Sequence, residues 1–187
     1  MKMQKQIKVY VERCKENVVL PAYANPGDAG MDVCAAEDII IHPGECKVIP
    51  TGLKIGIPEG YEVQVRPRSG LSLHTPLRVA NAPGTIDSGY RNEVGILMHN
   101  TSCPDCTSLS KRHVPDHPTD VSLDITMEQT QWSLDTKGNQ KGTYIIQKGD
   151  RIAQLILMPI LHLQWEEIDD ISAIKGDRGG GFGSTGI

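Results

Sequence analysis

Long apolar runs are missing from this sequence. The longest, Leu155 to Ile160, is broken by Pro159, far short of the roughly 20 consecutive apolar residues that a membrane-spanning helix needs, so no membrane partner is expected. The N-terminus, MKMQKQIKVY, carries basic residues but no apolar stretch behind them, so neither a secretory signal nor a transit peptide is legible and the cytoplasm is the expected location. Cysteine is sparse and odd in number, at 5. That argues against a disulfide framework and leads us to expect Cys14, Cys34 and Cys46 to be reduced, buried small hydrophobes. No charge of one sign dominates. The net charge is -4 and the 19 Lys plus Arg are scattered rather than massed in a stripe, which excludes duplex nucleic acid as an expected partner. Aromatics are only 4% of the chain, and the single phenylalanine, Phe182, lies in a glycine-rich tail where no core would be built.

What the sequence does have is punctuation. In 187 residues, enough for one domain with a real core, 19 Gly and 12 Pro recur between short Val/Ile-rich runs. This rhythm predicts an all-β chain folded as a sandwich, jelly roll or barrel. The strands are expected at Ile7 to Val11, Asp32 to Cys34, Ile39 to Ile41, Cys46 to Pro50, Leu53 to Ile57, Tyr61 to Arg66, Leu77 to Ala80, Thr85 to Ile86, Glu93 to Asn100, Thr143 to Gln147 and Arg151 to Pro159. Helical periodicity is convincing only over Leu163 to Ile174, and Ser69 to Leu73 has room for a short helix at most. The stretch 101–142 turns polar and later alternates Val121, Leu123, Ile125 and Met127 with polar residues. We read it as an inserted arm holding a β-hairpin.

Several segments look chemical. Arg66-Pro-Arg68-Ser69-Gly70 follows a strand, and two guanidiniums, a hydroxyl and the free N–H groups of a helix start suit an anion. Surface arginines and a serine cap give the same letters. Asn81 to Tyr90 reads as a hairpin whose tip carries Asp87 and Tyr90; an acid beside an anion site is poorly placed to bind phosphate but well suited to deprotonate a water attacking phosphorus. Asp and Gly are also ordinary turn formers. Ala29-Gly30-Met31-Asp32 supplies a second acid. Lys148-Gly149-Asp150 is a turn leading into a strand that would set Arg151 and Gln154 on opposite faces. The tail 176–187 is either a disordered terminus or a flap that orders on a ligand, its glycine N–H groups wrapping phosphate oxygens and Phe182 offering a flat face to a base. In the arm, Cys103, Cys106, His113 and His117 offer a ligand set of zinc type with a tight central gap, although reduced surface thiols and loop histidines are the more ordinary account of the same residues.

Read in order, AGMD at 29–32, RSG at 68–70, GTIDSGY at 84–90, GDRIAQ at 149–154 and GFGSTG at 181–186 resemble the five motifs of the trimeric dUTP diphosphatases, the dUTPases, over nearly the whole chain except the arm. The resemblance implies a β jelly roll, or distorted barrel, assembled as a homotrimer with active sites built from three chains. It implies hydrolysis of dUTP to dUMP and pyrophosphate, which keeps uracil out of DNA and supplies dUMP for dTMP synthesis. Carried over by residue, Asp87 would be the general base, and Tyr90 would lie against the deoxyribose and exclude UTP. Asn81 with the backbone of Gly84, Thr85 and Ile86 would read the uracil edge. Arg68, Ser69, Gly70 and Gln154 would hold the phosphates, and Asp32 would hold a water on Mg²⁺. Phe182 would cap the uracil while Arg178, Gly183, Ser184 and Thr185 close over the phosphates. The tail departs from the family spacing by one residue: Arg178 is four before Phe182, and Asp177 occupies the family's arginine register. Some phage-encoded dUTPases carry an insert where the arm lies, which gives the arm the character of a surface for a protein partner. Two other readings of the same residues are a dCTP deaminase of the same fold and a nucleotide-sensing or partner-binding protein that acts through the arm.

Overall fold

Short aliphatic runs cut by Pro and Gly give eleven strands among residues 6–102 and 142–176, the residues that a computed structural model of the chain describes. They are β1 (Tyr10–Arg13), β2 (Met31–Cys34), β3 (Ile39–Ile41), β4 (Cys46–Pro50), β5 (Leu53–Gly56), β6 (Tyr61–Arg66), β7 (Leu77–Val79), β8 (Gly84–Ile86), β9 (Gly95–Asn100), β10 (Tyr144–Ile146) and β11 (Arg151–Pro159). One short helix, α1 (Ser69–His74), sits between β6 and β7. The strands pair antiparallel in the orders β2-β11-β6-β8, β4-β9-β7, β1-β5 and β10-β3. Neighbours in a sheet are therefore mostly distant in sequence, as in the all-β jelly roll expected of the chain.

The sheets close on one contiguous core of Ile, Val and Leu, with Val33, Ile41, Ile49, Leu53, Leu77, Ile96, Met98, Ile146 and Ile152 almost fully buried. Each such aliphatic side chain contributes about 1.5–3 kcal/mol by leaving water. Tyr144 is the aromatic ring in this core, and burial pushes its phenol up to about 12. Asn100 ends β9 where the arm leaves the barrel. Its Nδ2 donates to the carbonyls of Ile41 at 3.0 Å and Gly142 at 2.8 Å, and its Oδ1 accepts from the Ser102 N–H at 3.0 Å. The departing and returning ends of the arm thus meet at one buried amide. Residues 103–141, with the expected β-hairpin and the zinc-type set, lie outside the described residues.

Two expectations are corrected. Cys14 and Cys46 are exposed and Cys34 is half-buried; all three are free thiols. Cys14 follows β1, whose residues all face solvent, and Cys46 opens β4, whose first residues point outward, so neither position reaches the core. The stretch 163–174 is not a helix. It leaves β11 in irregular backbone and makes one 3-10 turn, Ile171–Ala173, capped by the Asp170 carboxylate on the Ser172 N–H at 2.9 Å. Leu163, Trp165 and Ile171 stay exposed; a helix this short needs an apolar surface to fold against, and the described residues offer it none. Among the described residues no helix is long and apolar enough to cross a membrane.

Candidate active site

Asp32, in the middle of β2, is the centre of a charged cluster. Its Oδ1 accepts from Arg68 Nε at 3.0 Å and Gln154 Nε2 at 3.3 Å, while its Oδ2 lies 3.5 Å from Arg151 Nη1. Arg68 is tied down a second time, its Nη1 donating to the Arg151 carbonyl at 3.1 Å. Three segments separated by dozens of residues therefore present two guanidiniums and an amide around one carboxylate. The expectation that Arg151 and Gln154 lie on opposite faces is wrong. β11 carries a bulge between Arg151 and Ala153, so Arg151 stands opposite Cys34 and Gln154 opposite Asp32, and both share the outer face of the sheet. The bulge also explains why Ile152 and Ala153 are buried in succession. Burial first, and then the neighbouring Asp32 carboxylate, raise the Cys34 thiol above its ordinary value, so it stays protonated beside the cluster.

Ser69 and Gly70 open α1 directly after Arg68. Ser69 is exposed and Gly70 half-buried. The first N–H groups of any α-helix lack an internal acceptor, so these two residues turn donors toward the surface that Arg68 flanks.

A second group gathers around β8. A cleft of about 170 Å³ is lined by Val65, Asn81, Gly84, Thr85, Ile86, Tyr90, Val94 and Gly95. Gly84 is tightly faced: a Cβ there would meet the Asn81 amide nitrogen at 3.0 Å, so the side chain of Asn81 lies against bare backbone. Asp87 follows β8, exposed, on a turn closed by the Tyr90 N–H donating to the Asp87 carbonyl at 3.1 Å. Tyr90 is anchored at its far end, its hydroxyl donating to the Glu93 carbonyl at 2.9 Å. The expected hairpin over Asn81 to Tyr90 is a different structure. β8 pairs with β6, whereas β7 and β9 pair with each other in another sheet, so the acid and the ring sit on the turn after an edge strand.

The cleft lies at the edge strand β8, and Thr85 in its lining, opposite Gln64, shares the face of Arg66. Cross-strand partners share a face, which puts Asp32, Gln154 and Arg66 on the outer side and Val65 with Gly84 on the inner side. Among the described residues no hydrogen bond or ion pair joins Asp87 or Tyr90 to the Asp32 cluster. Arg178, Phe182, Gly183, Ser184 and Thr185 lie outside the described residues, as do Cys103, Cys106, His113 and His117. Sequence reasoning missed the part of Glu93 in this site. Its signal, a glutamate three residues after the tyrosine, means little until the Tyr90 hydroxyl is seen to rest on it.

Known proteins resemble this chain along almost its full length. The family model described as dUTPase matches residues 16–113 and 133–186, breaking inside the arm. A deoxyuridine 5'-triphosphate nucleotidohydrolase of Desulfotalea psychrophila is 41% identical over 92% of this chain and 90% of its own. That of Gloeothece citriformis is 32% identical over 97% and 98%. Among solved structures, a mutant of the Staphylococcus bacteriophage 80alpha dUTPase with dUpNHpp superimposes with a TM-score of 0.76 at 29% identity, covering 97% of this chain and 100% of that one. A mutant dUTPase of phage phi11 of S. aureus, solved for the coordination of a structural Mg(II) ion, gives 0.71 at 30% identity over 89% and 99%. A further structure of the phi11 enzyme, which visualises a species-specific insert, gives 0.70 at 29% identity over 90% and 100%.

Proposed function

Because the chain belongs to the dUTPase family and hydrolyses dUTP to dUMP and pyrophosphate, we propose that Asp87 is its general base and that the cleft beside β8 takes the uracil. The observation that carries this assignment is the cleft-side edge of β8. Among the described residues β8 is the last strand of its sheet, with its ladder on β6 and its other edge beside the cleft, where backbone N–H and C=O groups would meet the complementary edge of uracil as a further strand would. Asn81 supplies a side-chain amide at the same wall. A site that satisfies polar edges rejects a base that leaves them unpaired more strongly than shape alone could. Tyr90, held by its hydroxyl, faces the deoxyribose, and an added 2′-hydroxyl collides with the ring. Asp87, exposed on the turn between base and sugar contacts, is free to hold and deprotonate water aimed at the α-phosphorus.

Arg68, Gln154 and the N–H groups of Ser69 and Gly70 receive the phosphates. Among the described residues Asp32 is the carboxylate that stands with Arg68 and Gln154, and a metal here would rest on it and on the substrate's phosphates. That donor set suits Mg²⁺, which keeps most of its waters and is usually held by phosphates plus one or two carboxylates. Asp32 would hold it through water, and the ion, when bound, offsets the charge of the triphosphate. Phe182 would cap the uracil, with Arg178, Gly183, Ser184 and Thr185 over the phosphates.

We read the chain as a homotrimer whose sites are shared between copies, the Asp32 cluster of one copy completing the Asp87 turn of another. The chain beyond β11 supports the same reading: Leu161, Leu163 and Trp165 are 98%, 80% and 88% exposed, an apolar segment that the described residues leave uncovered. The arm, free of any residue assigned to the chemistry, is proposed as a surface for a protein partner; Cys103, Cys106, His113 and His117 are its candidate zinc ligands.

Pyrophosphate release from dUTP, UTP, dTTP and dCTP with Mg²⁺ tests the assignment. Release is expected from dUTP alone, and Asp87→Asn should lower it by about 10²-fold or more while dUTP still binds. Ammonia release from dCTP would move the site to deamination. An Asp87→Asn chain with unchanged turnover would remove Asp87 from the chemistry.

A further inference from the structure

The segment that carries Asp87 and Tyr90 rejoins the barrel at Glu93, and nothing in the proposed chemistry uses that residue. Its groups are nonetheless engaged on both sides. The backbone carbonyl accepts the Tyr90 hydroxyl at 2.9 Å. The carboxylate accepts the Gly52 N–H on Oε1 at 2.7 Å, with Lys15 Nζ at 3.7 Å from the same oxygen. Gly52 leaves the chain little choice of shape. Its φ is +69°, and a Cβ there would run into Val18 and crowd Ala36 and Lys15 at 3.3 Å. The next residue, Val94, is bonded to the same turn: its carbonyl accepts from the Thr51 N–H at 3.2 Å and Oγ1 at 2.7 Å, and its N–H donates to the Leu53 carbonyl at 2.8 Å. Val94 lines the cleft together with Tyr90. The tyrosine itself is 38% exposed and lies outside any strand, so its hydroxyl bond is what fixes the free end of the ring.

We propose that Glu93 is a positioning residue for sugar discrimination: with its carboxylate held by the Gly52 N–H, it fixes the carbonyl on which the Tyr90 hydroxyl rests, and so holds the ring where it rejects a 2′-hydroxyl. This rests on the reading of Tyr90 as the face against the deoxyribose. A carboxylate that merely clipped two turns together would affect stability alone. One that sets the ring affects the choice between dUTP and UTP, because small displacements of a positioning group cost far more in rate than in folding.

The test compares kcat/KM for dUTP and for UTP, with the thermal midpoint measured alongside. Glu93→Gln keeps an oxygen for the Gly52 N–H and should hold the dUTP:UTP ratio within about twofold of the parent. Glu93→Ala should lower the ratio by about tenfold, the scale of one lost hydrogen bond to a charged group. Glu93→Asp, one methylene short, reads the same quantity should the alanine variant not fold. Tyr90→Phe added to Glu93→Ala should lower the ratio little further, since both act through one contact. A folded Glu93→Ala or Glu93→Asp chain with a lower midpoint and the parent's ratio would overturn the inference. Tyr90→Ala separates the two readings. If it leaves the ratio intact, the role given to Tyr90 fails and this inference with it; if it collapses the ratio while Glu93→Ala does not, the inference about Glu93 fails by itself.

Discussion

At the residue scale, the buried polar side chains among the described residues answer backbone demands. Asn100, Thr51 and Thr75 are buried and each bonds to main-chain groups: Thr51 Oγ1 donates to the Val94 carbonyl at 2.7 Å and Thr75 Oγ1 to that of Leu71 at 2.7 Å. Tyr144 differs because its phenol titrates. Burial raises it to about 12 in the folded chain, whereas the unfolded chain ionises near 10, so between those values the unfolded state binds fewer protons. Stability should therefore fall as pH rises from about 10 to 12, by about 2–3 kcal/mol in all, and should be unaffected by this group below that window. Urea unfolding of the parent and Tyr144→Phe at pH 8 and pH 11 checks the sign. The parent should lose more stability than the variant over that interval, and equal losses would remove Tyr144 as the cause.

At the element scale, the site depends on two irregularities in otherwise regular strands. The bulge in β11 turns Arg151 to the face of Gln154, and the departure of β8 to pair with β6 sets its other edge against the cleft. Neither can be read from alternation. A period of two predicts opposite faces for residues three apart, and one extra residue reverses that. The bounds of β3, β4, β6 and β11 were legible because turn-forming Pro and Gly flank them or branched residues fill them. The short helix after Arg66 was legible too. Partnerships such as Gly52 with Glu93 or Asn100 with Gly142 were not, since they join residues some forty positions apart with no local pattern to mark them. The helix expected over 163–174 failed for a related reason: periodicity says which residues share a face and is silent on whether any surface exists to receive it. The arm supplies this scale's prediction. Removal of residues 103–140 should leave dUTP hydrolysis within a few-fold of the parent, measured as pyrophosphate release. Abolished hydrolysis in a chain that still assembles would place chemistry in the arm.

At the scale of the whole molecule, the proposed homotrimer makes function a property of the assembly. Mixing Asp87→Asn chains with chains truncated after Gly176 should recover part of the activity that each lacks alone, because some shared sites then receive an intact Asp87 from one copy and an intact tail from another. No recovery, with subunit exchange verified by mass, would confine each site to a single chain. The neck at Asn100 has a further consequence. Because the chain leaves at Ser102 and re-enters at Gly142 with both ends bonded to the same amide, the loop between them is already closed before its contents matter. Closing a loop of twice the length costs only about 0.6 kcal/mol more. The barrel is thus nearly indifferent to what is spliced in at this point, and a foreign domain whose own termini lie side by side could be carried there as cargo while the sheets beneath keep their register.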